Sequence, residues 1–328
     1  MNHNDSQIKV SLVWLFFITM GIFTAHVQAA CTTSGDVITL NAIAADTDGQ
    51  TPVTDTSFGA NDQCSSVPDE YKLTFYKLAL CTADPSSNDL SSCSYMLEDS
   101  AGADHVISYP SEGTLDIPPF ELPVGTYTHM AAVLSNKLGI KNTMQFSGDV
   151  EGESSSTGVY CWTGTGAMTS FANEAVVTPH GTTVTGQTLT CGNLAATDAA
   201  TKVFNYEVIV PLATDDVCSN LAPSNTFSTP GDPDTSGYTM PNGDIAKGRL
   251  LQATEINATT CQNASKILWT IAMATPAVVT PLSEFTLNFK TVDAVSIDFS
   301  GGSAGNTIPD IQKVGADPIQ VYLSVTSP

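Results

Sequence analysis

Wherever apolar residues gather in this chain, they alternate with polar ones at a period of two. In "SEFTLNFK", Phe285, Leu287 and Phe289 fall on one face, with Glu284, Thr286, Asn288 and Lys290 on the other. That is the pattern of a strand with one buried face. Val295, Ile297 and Phe299 repeat it after "TVDA" and are expected to form the hairpin partner. The alternation recurs through Ile267, Trp269, Ile271 and Met273, and through Ile319, Val321, Leu323 and Val325. Further strands are expected at "VITLNA", "YKLTFYKLAL", "TYTHMAAVL", "TTVTGQTLTC" and "VFNYEVIV". Within "YKLTFYKLAL" the phase breaks. Tyr71, Leu73 and Phe75 share one parity and Tyr76, Leu78 and Leu80 the other, so either a β-bulge restores the buried face or the strand is covered on both sides.

Helical periodicity is weak throughout. "IAKGRLLQATEI" is the best helix candidate, and Gly248 interrupts it. Eighteen prolines and 24 glycines punctuate the strands, and loops such as "APSNTFSTPGDPDTSGYTMPNGD" are long and polar. The expected fold is all-β: an Ig-like or transthyretin-like Greek-key β-sandwich with long polar loops. A sandwich domain over 31–150 would precede a disulfide-bracketed insertion or connector over 151–198. The strand-rich region 199–328 would either stand alone or complete the same sandwich.

The first thirty residues read as a signal peptide, because the apolar run from Val10 to Phe23 follows Lys9 and precedes small residues. Cleavage is expected after Ala29 or Ala30, and an uncleaved anchor is the alternative. All eight cysteines follow that point: Cys31, Cys64, Cys81, Cys93, Cys161, Cys191, Cys218 and Cys261. A lipidated Cys31 would leave an odd thiol in an oxidising compartment, whereas complete pairing leaves none. Cys81 with Cys93 is the best-argued pair, since they bracket a polar, turn-rich loop. The simplest remaining set is sequential: Cys31 with Cys64, Cys161 with Cys191, and Cys218 with Cys261. The expected location is therefore secreted, periplasmic or cell-surface, with no membrane insertion once the leader is gone.

Charge narrows the partners. The chain has 11 Lys and Arg against 33 Asp and Glu, a net charge of -22. Such a field repels phosphate backbones, so nucleic acid is not an expected partner. Only 13% of residues are charged, so Ser, Thr, Asn and Gly must build much of the surface.

In "FELPVGTYTHMAAVL", Pro123 stiffens the approach, Gly125 frees the backbone and Tyr127 starts a strand with a ring that can pack while its hydroxyl bonds a loop carbonyl. This is a corner device of Greek-key sandwiches. "YKLTFYKLALC" and "GTLDIPPFELPVGTYTHMAAVL" together resemble the DUF4382-like domain of exported bacterial proteins, related in architecture to transthyretin-like sandwiches. The resemblance spans about Tyr71 to Phe146 and implies fold rather than activity. The arginine that often follows the tyrosine in that family is absent, with His129, Met130 and Ala131 in its place.

Candidate chemistry is sparse. Nucleophilic catalysis needs a base, and after the leader only His105, His129 and His180 remain, without a GxSxG elbow. "TGTGAM" lacks the lysine and third glycine of a phosphate loop and reads as a turn. Asp46, Asp48, Asp215, Asp216, Asp232 and Asp234 lie in oxygen-rich loops that could donate to Ca²⁺, or could simply form Asx turns. No other cofactor is implied. Trp162, in a Gly/Thr-rich stretch beside Cys161, could be a ligand platform or a ring packed over a disulfide. Asn257 and Asn263 occupy glycosylation sequons. The leading expectation is an exported, non-enzymatic structural, adhesive or binding module whose partners are other surface proteins, itself or glycans. The alternatives are a secreted carbohydrate-active hydrolase, which would show two buried carboxylates in a pocket, and a filament or surface-layer subunit. The latter would show an unpaired apolar edge at Val37–Ala44 or Ile319–Val325.

Overall fold

The alternating segments become strands that share two layers around one apolar interior. The computed structural model describes residues 31, 33–40, 63–109, 120–152, 156–165, 167–168, 184–185, 188–193, 202–208, 226–227, 238–240, 242–259, 263–291, 294–300, 308–316 and 319–326. In chain order the strands are β1 (Thr33–Ser34), β2 (Val37–Ile38), β3 (Gln63–Ser66), β4 (Glu70–Cys81), β5 (Cys93–Ser108), β6 (Gly125–Ser135), β7 (Lys137–Lys141), β8 (Thr143–Glu151), β9 (Thr157–Gly164), β10 (Ala167–Met168), β11 (Val184–Thr185), β12 (Thr188–Gly192), β13 (Asn205–Val208), β14 (Thr226–Phe227), β15 (Tyr238–Thr239), β16 (Ile245–Leu251), β17 (Lys266–Val279), β18 (Glu284–Lys290), β19 (Val295–Ser300), β20 (Asp310–Ala316) and β21 (Gln320–Thr326). No α-helix occurs among the described residues.

Sheet I runs β1-β2-β8-β20-β19-β3, with β9 and then β12 added along the other edge of β8. Sheet II runs β13-β7-β4-β6-β17-β16-β14, with β5 on β4 and β15 on β16. One core cluster draws on both: Tyr71, Leu73, Phe75, Met130 and Ile271 from sheet II face Ile38, Phe146, Val150, Ile297 and Phe299 from sheet I. The result is a disulfide-stapled β-sandwich.

The run from Gly125 to Glu151 joins the layers. Strands β6 and β7 belong to sheet II, and β8 belongs to sheet I. The crossing falls at Asn142, which is 1% exposed. Its backbone N–H donates to Thr163 Oγ1 at 3.1 Å, and its carbonyl accepts from the Thr163 N–H at 3.1 Å. Thus the bend leaves neither backbone group of Asn142 unpaired, as a buried chain requires.

Both readings of the phase break in β4 are realised. The register of β4 against β6 slips between Phe75 and Lys77, so Tyr76 is the extra residue of a bulge and Leu78 and Leu80 return to the face of Tyr71. Beyond the bulge the other face is buried as well, because Ala79 and Cys81 join Ala131, Val133, Leu251 and Leu268 in a second, outer cluster.

Two expectations are overturned. The helix candidate is strand β16 followed by a turn. Gly248 lies within that strand as the cross-strand partner of Trp269. The expected β18–β19 hairpin does not form: β18 pairs with β21, while β19 pairs with β20 and β3. Alternation identifies a strand but not its neighbour, and the link between β18 and β19 carries the chain from a separate two-stranded ribbon into sheet I. Phe289 of that ribbon packs with its ring centre 6.0 Å from Phe75 and 5.1 Å from His105, closing part of the interior over sheet II.

Of the two expected free edges, the first is closed and the second is open on one side. Val37 and Ile38 are paired on both sides, with β1 and β8. Strand β21 is paired along its length with β18 on one side, while no strand among the described residues pairs with its other edge; Ile319 is buried. Residues 41–44 lie outside the described residues.

Candidate functional site

Three of the four expected sulfur bridges are present: Cys31–Cys64, Cys81–Cys93 and Cys161–Cys191, with Cα separations of 4.7, 3.9 and 4.1 Å. Cys218 and Cys261 lie outside the described residues. Cys31 is engaged twice, through its disulfide and through its N–H, which donates to Ser65 O at 2.8 Å. A thiol held in that bridge cannot carry a lipid. Bridges of this kind belong to an oxidising extracellular or periplasmic environment.

The tyrosine of the corner behaves as expected, whereas Gly125 does not take the left-handed conformation and has open space where a Cβ would sit. Tyr127 is 3% exposed, and its hydroxyl donates to the carbonyl of Pro123 at 2.8 Å.

The outer face of sheet II carries much of the chain's positive charge. Lys72, Lys77, Lys137, Lys141, Lys247, Arg249 and Lys266, seven of the chain's 11 basic residues, project from it. Six of them are anchored as follows. Lys77 and Lys266 meet Glu255 at 2.6 and 2.9 Å. Lys72 meets Asp104 at 2.6 Å, and Lys141 meets Glu70 at 3.1 Å. Lys137 lies 4.5 Å from the Tyr206 ring centre, and Arg249 Nε donates to Ser86 O at 2.6 Å. Burial pushes the Glu255 carboxyl up, but hydrogen bonds from Lys77 and Lys266 outweigh it and hold the group below its ordinary value. Asn88, in the loop closed by Cys81–Cys93, donates to the Glu255 carbonyl at 2.8 Å. Glu255 thus clamps two lysines through its carboxylate and the loop through its backbone carbonyl, with Arg249 holding the same loop at Ser86.

The outer face of sheet I differs in kind. On β9, Cys161 and Thr163 turn into the core, each fully buried, so Tyr160 and Trp162 project outward. Opposite them stand Thr143 and Gln145 on β8, and Thr190 and Gly192 on β12. A Cβ on Gly192 would sit 3.3 Å from Trp162 Cη2 and 3.6 Å from Cζ3, so the indole lies over the glycine. These strip residues carry no charge.

The remaining candidates do not converge. His105 sits within β5 rather than near a strand start, packed against Phe75 and Phe289. His129 is on β6, its Nδ1 2.8 Å from Thr128 Oγ1. His180 and the aspartates Asp46, Asp48, Asp215, Asp216, Asp232 and Asp234 lie outside the described residues. The two sequons are occupied by structure: Asn263 Nδ2 donates to Thr259 Oγ1 at 2.8 Å, and Asn257 Oδ1 is buried. A void of about 40 Å³ between sheet II and β21 is lined largely by hydrocarbon, including Leu73, Leu78, Met130, Ile267 and Val321. It offers packing space and little polar chemistry.

Sequence reasoning singled out Trp162 but passed over Tyr160, Gln145 and Thr190. The available signal was the two-residue spacing of Tyr160 and Trp162 around a core-facing cysteine. No family model, curated protein or solved structure matches the chain, so any functional reading rests on its own residues.

Proposed function

We propose that the protein is an exported, non-enzymatic module that serves in the periplasm, at the cell surface or beyond it as a structural, adhesive or binding domain. The observation that carries this reading is the covalent frame: Cys31–Cys64 and Cys161–Cys191 staple sheet I, and Cys81–Cys93 staples sheet II. A frame of this sort persists where thiols are oxidised and suits a domain that must outlast exposure to an uncontrolled medium. The clamped lysines of sheet II support the same reading, since their carboxylate partners Glu70, Asp104 and Glu255 are engaged in ion pairs on the sheet.

The test is mass spectrometry of the protein recovered from its host after cell fractionation, with thiols alkylated before lysis, alongside turnover assays on a polysaccharide panel. The expected result is an N-terminus at Ala30 or Cys31, oxidised cysteines in an exported fraction and no turnover. Recovery of the intact leader with reduced cysteines in the cytosol, or measurable hydrolysis, would overturn the proposal.

A further inference from the structure

We propose that the Tyr160–Trp162 strip on sheet I is a binding site for an uncharged saccharide. This deepens the binding-module reading and rests on it. Side chains two residues apart on a strand lie on one face about 7 Å from each other, so the two rings offer adjacent stacking planes along β9. The six-membered ring of the indole packs against Gly192, where a Cβ would lie 3.3 Å from Cη2 and 3.6 Å from Cζ3, and Trp162 stays part-exposed. A ring already braced against the sheet has less side-chain entropy to lose on binding.

The groups around the rings are those that would read hydroxyls. Gln145 pairs with Tyr160, and both Thr143 and Thr190 pair with Trp162. Thr143 Oγ1 already accepts from Lys202 Nζ at 2.9 Å, leaving its own hydroxyl hydrogen to donate. Among the described residues, the Tyr160 hydroxyl, the Trp162 indole N–H, the Gln145 amide and the Thr190 hydroxyl have no hydrogen-bond partner within the protein. Half-buried donors and acceptors in that state favour a ligand rich in both.

Charge chooses among ligands. The strip's own side chains are neutral and the adjacent Lys202 ammonium is paired with Asp69 at 2.9 Å, whereas the whole chain carries a net charge of -22. An anionic glycan or nucleic acid would meet that field unfavourably, and a lipid tail would leave the amide and hydroxyls unpaired. A neutral sugar avoids both costs.

The test uses the full mature chain with its disulfides intact. Neutral and anionic polysaccharides on an array, followed by calorimetric titration of the neutral oligosaccharides, would be compared for the native protein, W162A, W162F and Q145A. Trp162 lies outside the core clusters, so W162A should keep its disulfide map and melting curve. The expected result is binding of at least one neutral glycan, weakened tenfold or more by W162A, partly restored by W162F and insensitive to salt. Failure of every neutral glycan to bind, unchanged affinity in W162A, or Trp162-dependent capture of only anionic polymers or proteins would overturn the site. None of those failures bears on export, which is read from the N-terminus, the cell fraction and the cysteines.

Discussion

Replacing Tyr127 with phenylalanine removes one oxygen from the corner that precedes β6 and leaves the ring in place. In the native protein that oxygen donates to the Pro123 carbonyl at 2.8 Å, and the tyrosine is 3% exposed. A lost hydrogen bond between neutral groups costs about 0.5–1.5 kcal/mol net, and more when the abandoned partner stays dry. Pro123 itself is exposed, so its freed carbonyl can turn to water. Tyr127→Phe should therefore fall near the middle of the range, at about 1 kcal/mol. Tyr127→Ala would also empty the ring's place in the core and cost about 3–5 kcal/mol. Urea unfolding of the oxidised protein, monitored by far-UV circular dichroism, measures both. The phenylalanine variant should melt roughly 2–4 °C lower in a chain near this size. Two results would refute the reasoning. If Tyr127→Phe matches the native protein, the hydroxyl contributes nothing to the corner; if it is as damaging as Tyr127→Ala, the bond rather than the ring holds the fold.

Glu255→Gln should destabilise by about 1–3 kcal/mol at pH 7, because Lys77 and Lys266 lose a shared counter-charge. The native carboxyl is held below its ordinary value, so its contribution is present above the unfolded-state pKa and disappears as pH falls through the folded-state pKa. The gap between native and variant should accordingly narrow below about pH 4.3, the usual glutamate value, in denaturant titrations across pH. Removing Cys31–Cys64, which spans 33 residues, should cost about 4 kcal/mol on loop-closure grounds, against about 3 kcal/mol for Cys81–Cys93, which spans 12. Paired Cys→Ala variants compared by melting test that order. Gly158→Ala should cost more than about 3 kcal/mol, because a Cβ there runs into the backbone of Gly192, which cannot swing aside as a side chain would. Its readout is the yield of folded protein with Cys161–Cys191 closed.

Much of this architecture was legible in the residue pattern, and the misses share a cause. Strands β4, β6, β17, β18 and β21 coincide with period-two alternation because one face of each meets the core, and burial writes itself into sequence at that period. Pairing partners do not. Nothing in "SEFTLNFK" distinguishes β21 from β19 as its neighbour, since both present the same alternation. The segment around Gly248 shows the converse: the glycine rightly counted against a helix, but only the pairing of β16 with β17 identifies the run as a strand. The three bridges came from parity and proximity in sequence, which worked because Cys81 faces Cys93 and Cys161 faces Cys191 across adjacent antiparallel strands. The strip on sheet I was half visible. Trp162 stands out by its rarity, but Gln145 and Thr190 become its neighbours only when β8 and β12 flank β9.

Because the polypeptide passes from one layer to the other at Asn142 without leaving the hydrogen-bonded framework, neither layer is a separable cassette. A polypeptide ending near Lys141 would strip sheet I of its central strand, and one starting at Thr143 would deprive β4 and β17 of their common neighbour β6. Recombination or truncation at this seam should yield insoluble halves, so lineages carrying this protein are expected to inherit the two layers together or not at all.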